Sequence, residues 1–427
     1  MSKLHEVAEL VSTATNSSPN RLQTRPRGKQ KRNEIVAPTQ TTHELLRIVR
    51  AAQPIPRVAV ARRMGVHRRR ITVLVKPLLD SGILLEAAPD RTKMRRVGRP
   101  AIGLSLRAER EFLIGVNIGV NQVQLGAASV DGKLLFEESF PTVRDPALAL
   151  SQVRASIQRQ QTMMPERALA VIGVSVAGPT DVERGRLLYA PHLGWRDIPI
   201  TEMLGVSVPV YVENNATAAA IYESQRRRGR SATRTAGDFV LVRAGTGIGV
   251  GLVLGGEVFR GTTEADIAGE FGHMTIVAGG KSCPCGNFGC WERYASAASA
   301  VELYAGDGQR AKLRSSLRFI DVVGRAASGE RRALVTLERV GTHLGIGIGN
   351  VICGLGVPHV VVSGDLVHGW KFIEASARAA IAMSLAGRLS RWSLEAGELH
   401  GSELGGALEV AIEHYLLTIV DKNKVAA

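Results

Sequence analysis

The sequence has few of the features that mark secreted or membrane proteins. It contains only four cysteines in 427 residues, and aromatic residues make up 4% of the chain. Secreted domains that depend on disulfides use more cysteines in much shorter chains. The N-terminal segment, MSKLHEVAEL, has no long apolar core ahead of a cleavage site, so it does not predict a signal peptide. We therefore expect a cytoplasmic protein with reduced thiols.

One uncharged run, residues 344–363, is long enough to cross a bilayer. It contains Asn350, Pro358 and His359 together with several glycines, which is unusual for a spanning helix. A buried helix that leads into a buried strand explains the run better. No membrane partner is therefore expected.

Acidic residues are scarce only in the first quarter of the chain. Residues 1–107 hold 22 Lys and Arg against 7 Asp and Glu, whereas residues 108–427 hold 32 of each. The whole excess of positive charge, +15, therefore belongs to the segment 1–107, which indicates a polyanionic partner. Residues 1–38 include RLQTRPRGKQKR, lack apolar periodicity and are expected to form a basic disordered tail. For this tail, solvation without any partner is the alternative.

Residues 39–107 contain the order of elements that is typical of a winged helix-turn-helix domain. Apolar residues at helical spacing predict a helix over 41–52, for which a threonine is available as the N-cap, and a second helix over 56–66. Gly65 supplies the tight turn before a third helix. The strand ILLE and a strand that returns over 91–106 are then expected to form the wing.

The third helix of this domain is expected to bind the major groove of DNA. It spans about residues 67–81 with Ile71, Val75 and Leu78 facing inward, although Pro77 tends to kink or end a helix. Arginine on its outer face suits both guanine edges and phosphates. An exposed basic face without a partner is the alternative. The residues expected to contact DNA, from the helix and the wing, are His67, Arg68, Arg69, Arg70, Thr72, Arg95, Arg96 and Arg99.

The cysteines are clustered in a way that predicts a metal site. Cys283, Cys285 and Cys290 fall within eight residues, and His273 stands ten residues upstream of the first. Three thiolates and one imidazole are a common tetrahedral zinc set. A disulfide with spare thiols is the alternative, but Cys283 and Cys285 are too close to bridge comfortably. Because four protein ligands leave no open position, the expected cofactor is a structural zinc ion.

The same stretch resembles a known family. GEFGH followed by CPCGNFGCWE is similar to the signature of the ROK family, which holds bacterial sugar kinases and sugar-responsive repressors, including repressors that respond to xylose and to N-acetylglucosamine. The resemblance extends over about residues 110–427. Four further segments agree with it: GVSVAGPTDVERGRL (173–187), APHLGWRDIP (190–199), VENNATAAA (212–220) and AGTGIGVGLVLGGEVFRG (244–261).

The resemblance implies a multidomain chain. Its mainly α winged helix-turn-helix (39–107) would precede a two-lobed α/β sugar-binding domain (108–427) of the actin and hexokinase type, which is ribonuclease H-like. A zinc loop would occupy about residues 270–292. The partners implied are a double-stranded DNA operator, a small-molecule sugar effector and further copies of the chain, in a homodimer or a dimer of dimers. The sugar-contacting positions of the family correspond to Asn214, Glu270, His273 and Glu292.

The chain also departs from the pattern of the family's kinases. Asn117 stands where their first phosphate loop has an aspartate, and Asn215 stands where they have the catalytic base. An amide cannot accept the proton of a sugar hydroxyl. Ser363 and Asp365 border the glycine of a nucleotide-side segment that is Gly-Gly in the kinases, and His192 replaces an asparagine of the sugar-side loop. These departures predict a kinase-like cleft without catalytic residues.

Three functions remain open from the sequence. The first is a sugar-controlled transcriptional regulator, more specifically a repressor, without phosphotransferase activity. The second is an ATP-dependent sugar kinase with a regulatory DNA-binding domain, and Asn117 and Asn215 favour the first over it. The third is a regulator that no longer binds any sugar. The sequence identifies neither the effector nor the operator.

Overall fold

The N-terminal region of the structure consists of three helices and a small antiparallel sheet. The computed structural model describes residues 38–87, 102–230, 237–261, 267–306, 316–399 and 401–425. Residues 38–107 are called the head below, and residues 108–427 the body. The elements of the head are α1 (Pro38–Ala52), β1 (Ile55–Pro56), α2 (Arg57–Met64), α3 (Arg68–Asp80), β2 (Leu84–Ala87) and β3 (Gly103–Leu106). The strand order is β1-β3-β2, and β3 pairs with both of its neighbours in the antiparallel direction.

Helices α2 and α3 follow the sequence prediction closely. The inward residues Ile71, Val75 and Leu78 are buried. Gly65 has a φ of 65°, a left-handed conformation that glycine adopts without strain, and it ends α2. Pro77 lies inside α3, which continues to Asp80.

The first helix starts earlier than the sequence predicted. It begins at Pro38, so Thr41 and Thr42 lie inside the helix and the predicted threonine N-cap is wrong. Proline is favoured in the first turn because its fixed φ suits a helix and its missing N–H has no partner to lose there. The helix is therefore about one turn longer at its N-terminal end than the sequence predicted.

The body begins with an α/β lobe built on a five-stranded sheet. The strand order is β11-β7-β4-β5-β6, with β4, β7 and β11 parallel and β5 and β6 antiparallel to their neighbours. The elements of this lobe are β4 (Glu111–Ile118), β5 (Gln122–Ser129), β6 (Leu134–Pro141), α4 (Pro146–Met163), β7 (Ala168–Val176), β8 (Thr180–Asp181), β9 (Arg186–Ala190), β10 (Trp195–Ile198), α5 (Ile200–Leu204), β11 (Val210–Asn214) and α6 (Asn215–Arg230).

A second lobe repeats the strand order of the first. Its sheet runs β14-β13-β12-β15-β16, with a meander of three antiparallel strands followed by two parallel ones. Two such sheets in one chain make the actin and hexokinase type of α/β fold. The elements are β12 (Phe239–Ala244), β13 (Ile248–Leu254), β14 (Glu257–Phe259), α7 (Glu292–Ala295), α8 (Ala297–Ala305), α9 (Phe319–Ala327), α10 (Arg331–Leu355), β15 (His359–Ser363), α11 (Trp370–Met383), α12 (Leu385–Leu389), β16 (Ser393–Ala396) and α13 (Ser402–Val425).

The last helix, α13, returns to the first lobe and packs against its sheet and against α6. Gly115 of β4 permits this close approach, because a Cβ at that position would lie 2.6 Å from the backbone nitrogen of Leu408. The apolar residues of α13, including Ile412 and Leu416, join those of α1 in one core. The head and the first lobe therefore share part of their hydrophobic core.

The uncharged run over 344–363 belongs to the second lobe, and most of its apolar residues are buried there. It forms the end of α10 and the whole of β15, as the sequence predicted. Leu344, Ile348 and Val361 are fully buried in the protein core. Among the described helices, none combines the length and the apolar character needed to cross a membrane.

Candidate functional site

A cleft of about 490 Å³ lies between the two lobes of the body. The first lobe contributes the end of β4, the loop after β9 and the junction of β11 with α6. The second lobe contributes the glycine-rich turn between β12 and β13 and a 3-10 helix, Glu270–His273. Polar residues that line the cleft are Asn117, Asn121, Gln122, His192, Asn214, Asn215, Arg243, Thr246, Glu270, His273, Glu292, Arg318, Asp365 and Glu403. Such a concave, polar surface suits a small hydroxylated ligand.

Three of the four predicted sugar-contacting residues form one contiguous group. His273 Nε2 lies 3.8 Å from Glu270 Oε2, and His273 Nδ1 lies 3.8 Å from Glu292 Oε1. On its other side, Glu292 Oε2 lies 3.6 Å from His192 Nε2. Carboxylates and imidazoles in one wall can accept and donate hydrogen bonds to adjacent hydroxyl groups.

The two glutamates of this group differ in their protonation. Burial, and second the charge of Glu292, raises the pKa of Glu270 to about 7. Burial opposes the ionisation of Glu292 as well, but the neighbouring His192 and His273 lower its pKa. Two carboxylates with different pKa values give one wall both a hydrogen-bond acceptor and a partly protonated group.

The fourth predicted sugar residue, Asn214, also lines the cleft, but its amide already has several partners. Its Oδ1 accepts hydrogen bonds from the backbone N–H of Ala216 at 2.8 Å and of Thr217 at 3.4 Å, which caps the first turn of α6. Its Nδ2 donates to the carbonyl of Gly178 at 2.9 Å. Asn214 therefore holds two segments of the cleft wall together.

The predicted departures from the kinase pattern all lie at or beside the cleft. Asn117 is buried in β4, where its Nδ2 donates to Gln124 at 3.0 Å and its Oδ1 accepts from Ser175 at 2.9 Å. Asn215 lines the cleft as the first residue of α6. Burial, and second the charge of Glu403, raises the pKa of Asp365. The amide of Asn117 thus takes part in a network that needs both a donor and an acceptor, which an ionised aspartate cannot supply.

An ion pair that spans the cleft was not expected from the sequence. Arg243 at the end of β12 donates to Glu403 in the first turn of α13, and both residues line the cleft. The two residues are separated by 160 positions, and each is an ordinary charged residue in its own segment. A single sequence carries no signal for such a pairing.

The residues predicted to bind a metal converge in the structure. His273, Cys283, Cys285 and Cys290 each offer one ligand atom, and these atoms all lie within 4.8 Å of one another. All four cysteines of the chain are free, so the alternative of a disulfide is wrong. Gly286 and Gly289 have φ values of 96° and 73°, which fold the loop back so that Cys290 returns to the cluster.

The distances within this group fit a tetrahedral metal ion. Cys285 Sγ lies 3.8 Å from Cys290 Sγ, and Cys283 Sγ lies 3.6 Å from His273 Nδ1. Tetrahedral zinc, with bonds of about 2.3 Å to sulfur and about 2.0 Å to nitrogen, sets these separations at about 3.8 Å and about 3.5 Å. Burial by itself raises the pKa of the Cys283 and Cys290 thiols, whereas a bound cation favours thiolates.

The metal group and the cleft are in direct contact. Cys283 Sγ lies 3.1 Å from Glu292 Oε1, and His273 presents Nδ1 to Cys283 and Nε2 to Glu270. One imidazole can therefore serve as a metal ligand and also orient a carboxylate of the cleft.

The predicted DNA-binding residues of α3 form an exposed basic surface. Arg68, Arg69, Arg70 and Thr72 are exposed at the start of the helix. His67 caps the helix, because its Nδ1 accepts a hydrogen bond from the backbone N–H of Arg69 at 3.3 Å. Its Nε2 remains available for contact with a partner. The other predicted contacts, namely Arg95, Arg96 and Arg99, lie outside the described residues.

Comparisons with known proteins agree with this architecture. The sequence model of the ROK family matches residues 113–413. The chain is 24% identical over 382 residues to the xylose repressor of Bacillus subtilis strain 168, across 87% of this chain and 94% of that protein. Among solved structures, a ROK family transcriptional regulator, a homolog of the E. coli MLC protein, aligns with a TM-score of 0.71 at 21% identity. That alignment covers 91% of this chain and 99% of the other.

A kinase structure matches a smaller part of the chain. The ROK family glucokinase from Streptomyces griseus, solved with glucose and AMPPNP, aligns with a TM-score of 0.61 at 25% identity and covers 70% of this chain and 99% of its own. The segment 108–427 makes up about three quarters of the chain. The two matches to regulators cover more than this share, so they extend into the segment 1–107, whereas the kinase can be accommodated by the body alone.

Proposed function

Because this chain belongs to the ROK family, we propose that it is a DNA-binding transcriptional repressor whose operator affinity is controlled by a sugar or sugar derivative. The observation that carries this proposal is the extent of similarity to the xylose repressor, which reaches beyond the body into the basic head. A kinase would not require a head with an exposed row of arginines on a helix N-terminus.

The head is proposed to be a winged helix-turn-helix domain over 39–107, after the basic tail 1–38. Three helices, the left-handed turn at Gly65 and a three-stranded antiparallel sheet support it. In such domains the N-terminal residues of the recognition helix contact base edges in the major groove. Here that helix is α3, with wing contacts from Arg95, Arg96 and Arg99.

The body, residues 108–427, is proposed to bind the effector in its cleft. Glu270, His273 and Glu292 would hold adjacent hydroxyl groups, and Asn214 would shape the opposite wall. Zinc bound by His273 and the three clustered cysteines would be structural, because four protein ligands leave no open position. In that state the ion fixes the loop that carries these sugar contacts, with the ligand atoms already converged.

The cleft is proposed to bind sugar without phosphorylating it. Asn215 cannot take the proton of a sugar hydroxyl, and such a base typically accelerates a reaction by about 10²–10⁴. Asn117 supplies no carboxylate for a nucleotide-bound metal, and its amide is held by Gln124 and Ser175. The alternative, an ATP-dependent sugar kinase, is favoured only by the likeness to glucokinase.

The decisive experiment measures DNA binding, sugar binding and ADP release on the same protein. An operator is first selected from random double-stranded DNA, and its affinity is then measured with D-xylose, D-glucose and N-acetylglucosamine at millimolar concentration. We expect one of these sugars to lower operator affinity by tenfold or more, because ligand-linked changes are commonly about 1–3 kcal/mol. ADP release with ATP and the same sugars should stay at background.

Two results would contradict the proposal. Turnover near one per second would establish the kinase instead, since this lies in the ordinary enzyme range of about 1–10³ per second. Failure to enrich any DNA sequence would show that the chain is not a sequence-specific DNA-binding regulator. A protein that binds DNA sequence-specifically, binds none of these sugars and keeps the same operator affinity in their presence would favour a regulator without a sugar effector.

A further inference from the structure

A buried ion pair between α1 and α13 connects the head to the body. Arg50 donates two hydrogen bonds to Glu409, at 2.5 and 2.6 Å. The side chains are only 5% and 9% exposed. Since a buried charge that loses its partner is strongly penalised, these two helices resist separation at this point.

A second arginine of α1 extends the attachment. Arg47 Nε donates to Glu413 of α13 at 2.7 Å, one helical turn after Glu409, and its Nη1 donates to Glu257 of β14 at 2.6 Å. His43 Nε2 also lies 3.4 Å from Glu413. One face of α1 is thus bound to α13 and to the second lobe by charged groups.

The other end of α13 reaches the cleft. Glu403, in its first turn, accepts a hydrogen bond from Arg243 of β12, and both line the cleft. Ten residues separate Glu403 from Glu413, which corresponds to about 15 Å along a helix. One helix therefore carries a carboxylate bound to the cleft wall and two carboxylates bound to the head.

Helix α13 also packs so closely against α6 that we expect the two helices to move together. A Cβ at Gly405 would lie 2.6 Å from the ring of Tyr222 in α6, and one at Gly406 would lie 3.0 Å from the backbone of Ala218. The last turn of α6 in turn approaches the head, since Arg63 donates to the carbonyl of Arg228 at 3.5 Å. Closely packed helices shift as rigid bodies.

We propose that α13 transmits the state of the cleft to the head, with Arg243–Glu403 as its cleft end and Arg50–Glu409 and Arg47–Glu413 as its head end. A ligand that displaces Arg243, or moves β12 relative to the first lobe, changes the position of Glu403. Because the ion pairs of α1 are costly to break, α1 follows α13 and changes the orientation of α3. The identity of the cleft ligand and that of the partner of α3 rest on the proposed function. The connection between the cleft and the head through α13 does not.

The test uses hydrogen exchange of the full-length chain without any ligand. We expect Arg243→Gln to increase amide exchange in the 45–52 segment of α1 by about fivefold or more, although Arg243 lies in the second lobe and α1 lies in the head. Glu403→Gln breaks the same pair from the other side and should act alike, and Arg243→Lys should restore much of the protection. The matched control is Arg378→Gln, which breaks the Arg378–Glu374 pair within α11, at 2.8 Å.

A double-variant comparison separates transmission from general loosening. In a Glu409→Gln background, where the head end is weakened, adding Arg243→Gln should change α1 exchange much less than it does in the native chain. Equal effects of Arg243→Gln and Arg378→Gln on α1, or an additive double variant, would overturn the proposal. A native chain that binds no sugar or no DNA would instead count against the proposed function, because the exchange measurement needs neither partner.

Discussion

At the scale of single residues, Glu292 connects the cleft to the metal group. Its Oε1 faces Cys283 Sγ at 3.1 Å, and its Oε2 faces His192 at 3.6 Å. A carboxylate that touches both a metal ligand and the cavity is oriented by the metal site. Zinc bound at this group would therefore contribute to ligand affinity through the position of the Glu292 side chain.

Replacing Cys285 by Ser should remove the metal and weaken sugar binding together. We expect the native chain to purify with one zinc per chain and the variant to lose it, with a lower melting temperature, because metal binding is linked to folding of the loop. Metal analysis and calorimetry with the effector sugar measure both effects. Cys353→Ser is the matched control, since Cys353 is exposed and outside the cluster. A variant without zinc that binds sugar normally would contradict this account.

Some of these residues could be identified from the sequence and others could not. The four metal-binding candidates lie within eighteen positions and have a distinctive chemistry, so spacing alone groups them. Arg243 and Glu403 become neighbours only because α13 returns to the first lobe. Similarly, the three hydrogen bonds that occupy Asn214 depend on where β11 meets α6. Long-range pairings of ordinary residues need the structure.

At the scale of elements, two histidines are held neutral, His43 at the contact between α1 and α13 and His414 on the part of α13 that packs on β11. Burial, and second the charge of Arg47, lowers the pKa of His43 to about 4. Burial, and second the charge of Arg260, lowers the pKa of His414 to about 4, and its ring stacks on Tyr211 with centroids 3.6 Å apart. Burial opposes ionisation of Glu413, but the charge of Arg47 lowers its pKa to about 2.

These shifts predict that the free energy of unfolding decreases in mild acid. Between pH 6.5 and 4 the unfolded chain protonates both histidines while the folded chain keeps them neutral, so stability falls as the pH falls. Glu413 adds a loss in the same direction below about pH 4.5. From pH 7 to 5 the expected loss is on the order of 2 kcal/mol for each histidine. Urea unfolding at the two pH values measures it.

Glutamine variants provide the control for this pH dependence. His43→Gln and His414→Gln should each flatten the decrease, whereas His359→Gln, an exposed histidine of β15, should leave it unchanged. Equal stability of the native chain at pH 7 and 5 would show that the contact between α1 and α13 is not the acid-sensitive part.

The α3 helix yields a prediction about DNA. Replacing Arg68, Arg69 and Arg70 by Ala should lower operator affinity about a hundredfold or more, because a good bidentate arginine–guanine pair contributes about 1–3 kcal/mol of discrimination. The helix should still form, since its buried residues are unchanged and His67 retains its cap. Fluorescence anisotropy with the selected operator measures the loss.

A variant with the same change in charge controls for electrostatics. Arg339, Arg388 and Arg391 are exposed on the second lobe, and the Ala variant of all three should bind the operator with nearly native affinity. If both triple variants lost affinity equally, net charge would explain the binding and the assignment of α3 would be wrong.

At the scale of the whole molecule, the distribution of charge along the sequence indicates which segment would bind DNA, but it carries no information about contacts between segments. The whole excess of positive charge, +15, lies in the segment 1–107, and the body is balanced. The uncharged run over 344–363 also predicted a buried strand, β15, because buried parallel strands produce such apolar runs. The shared core of head and first lobe was not predicted, since it requires α13, the last helix, to meet α1, the first.

The whole molecule is expected to bind DNA as a symmetric dimer. Two copies related by a twofold axis place two α3 helices on the same face of the duplex only when half-sites are separated by whole turns, about 10–10.5 base pairs or multiples of this. Inserting five base pairs between the half-sites should therefore abolish tight binding, and inserting ten should restore most of it. Sedimentation should give two chains, or a multiple of two, per operator. Affinity should also fall steeply with salt, with a slope of about −0.9 for each phosphate neutralised. One chain per operator, with equal affinity for both insertions, would mean that each head acts alone.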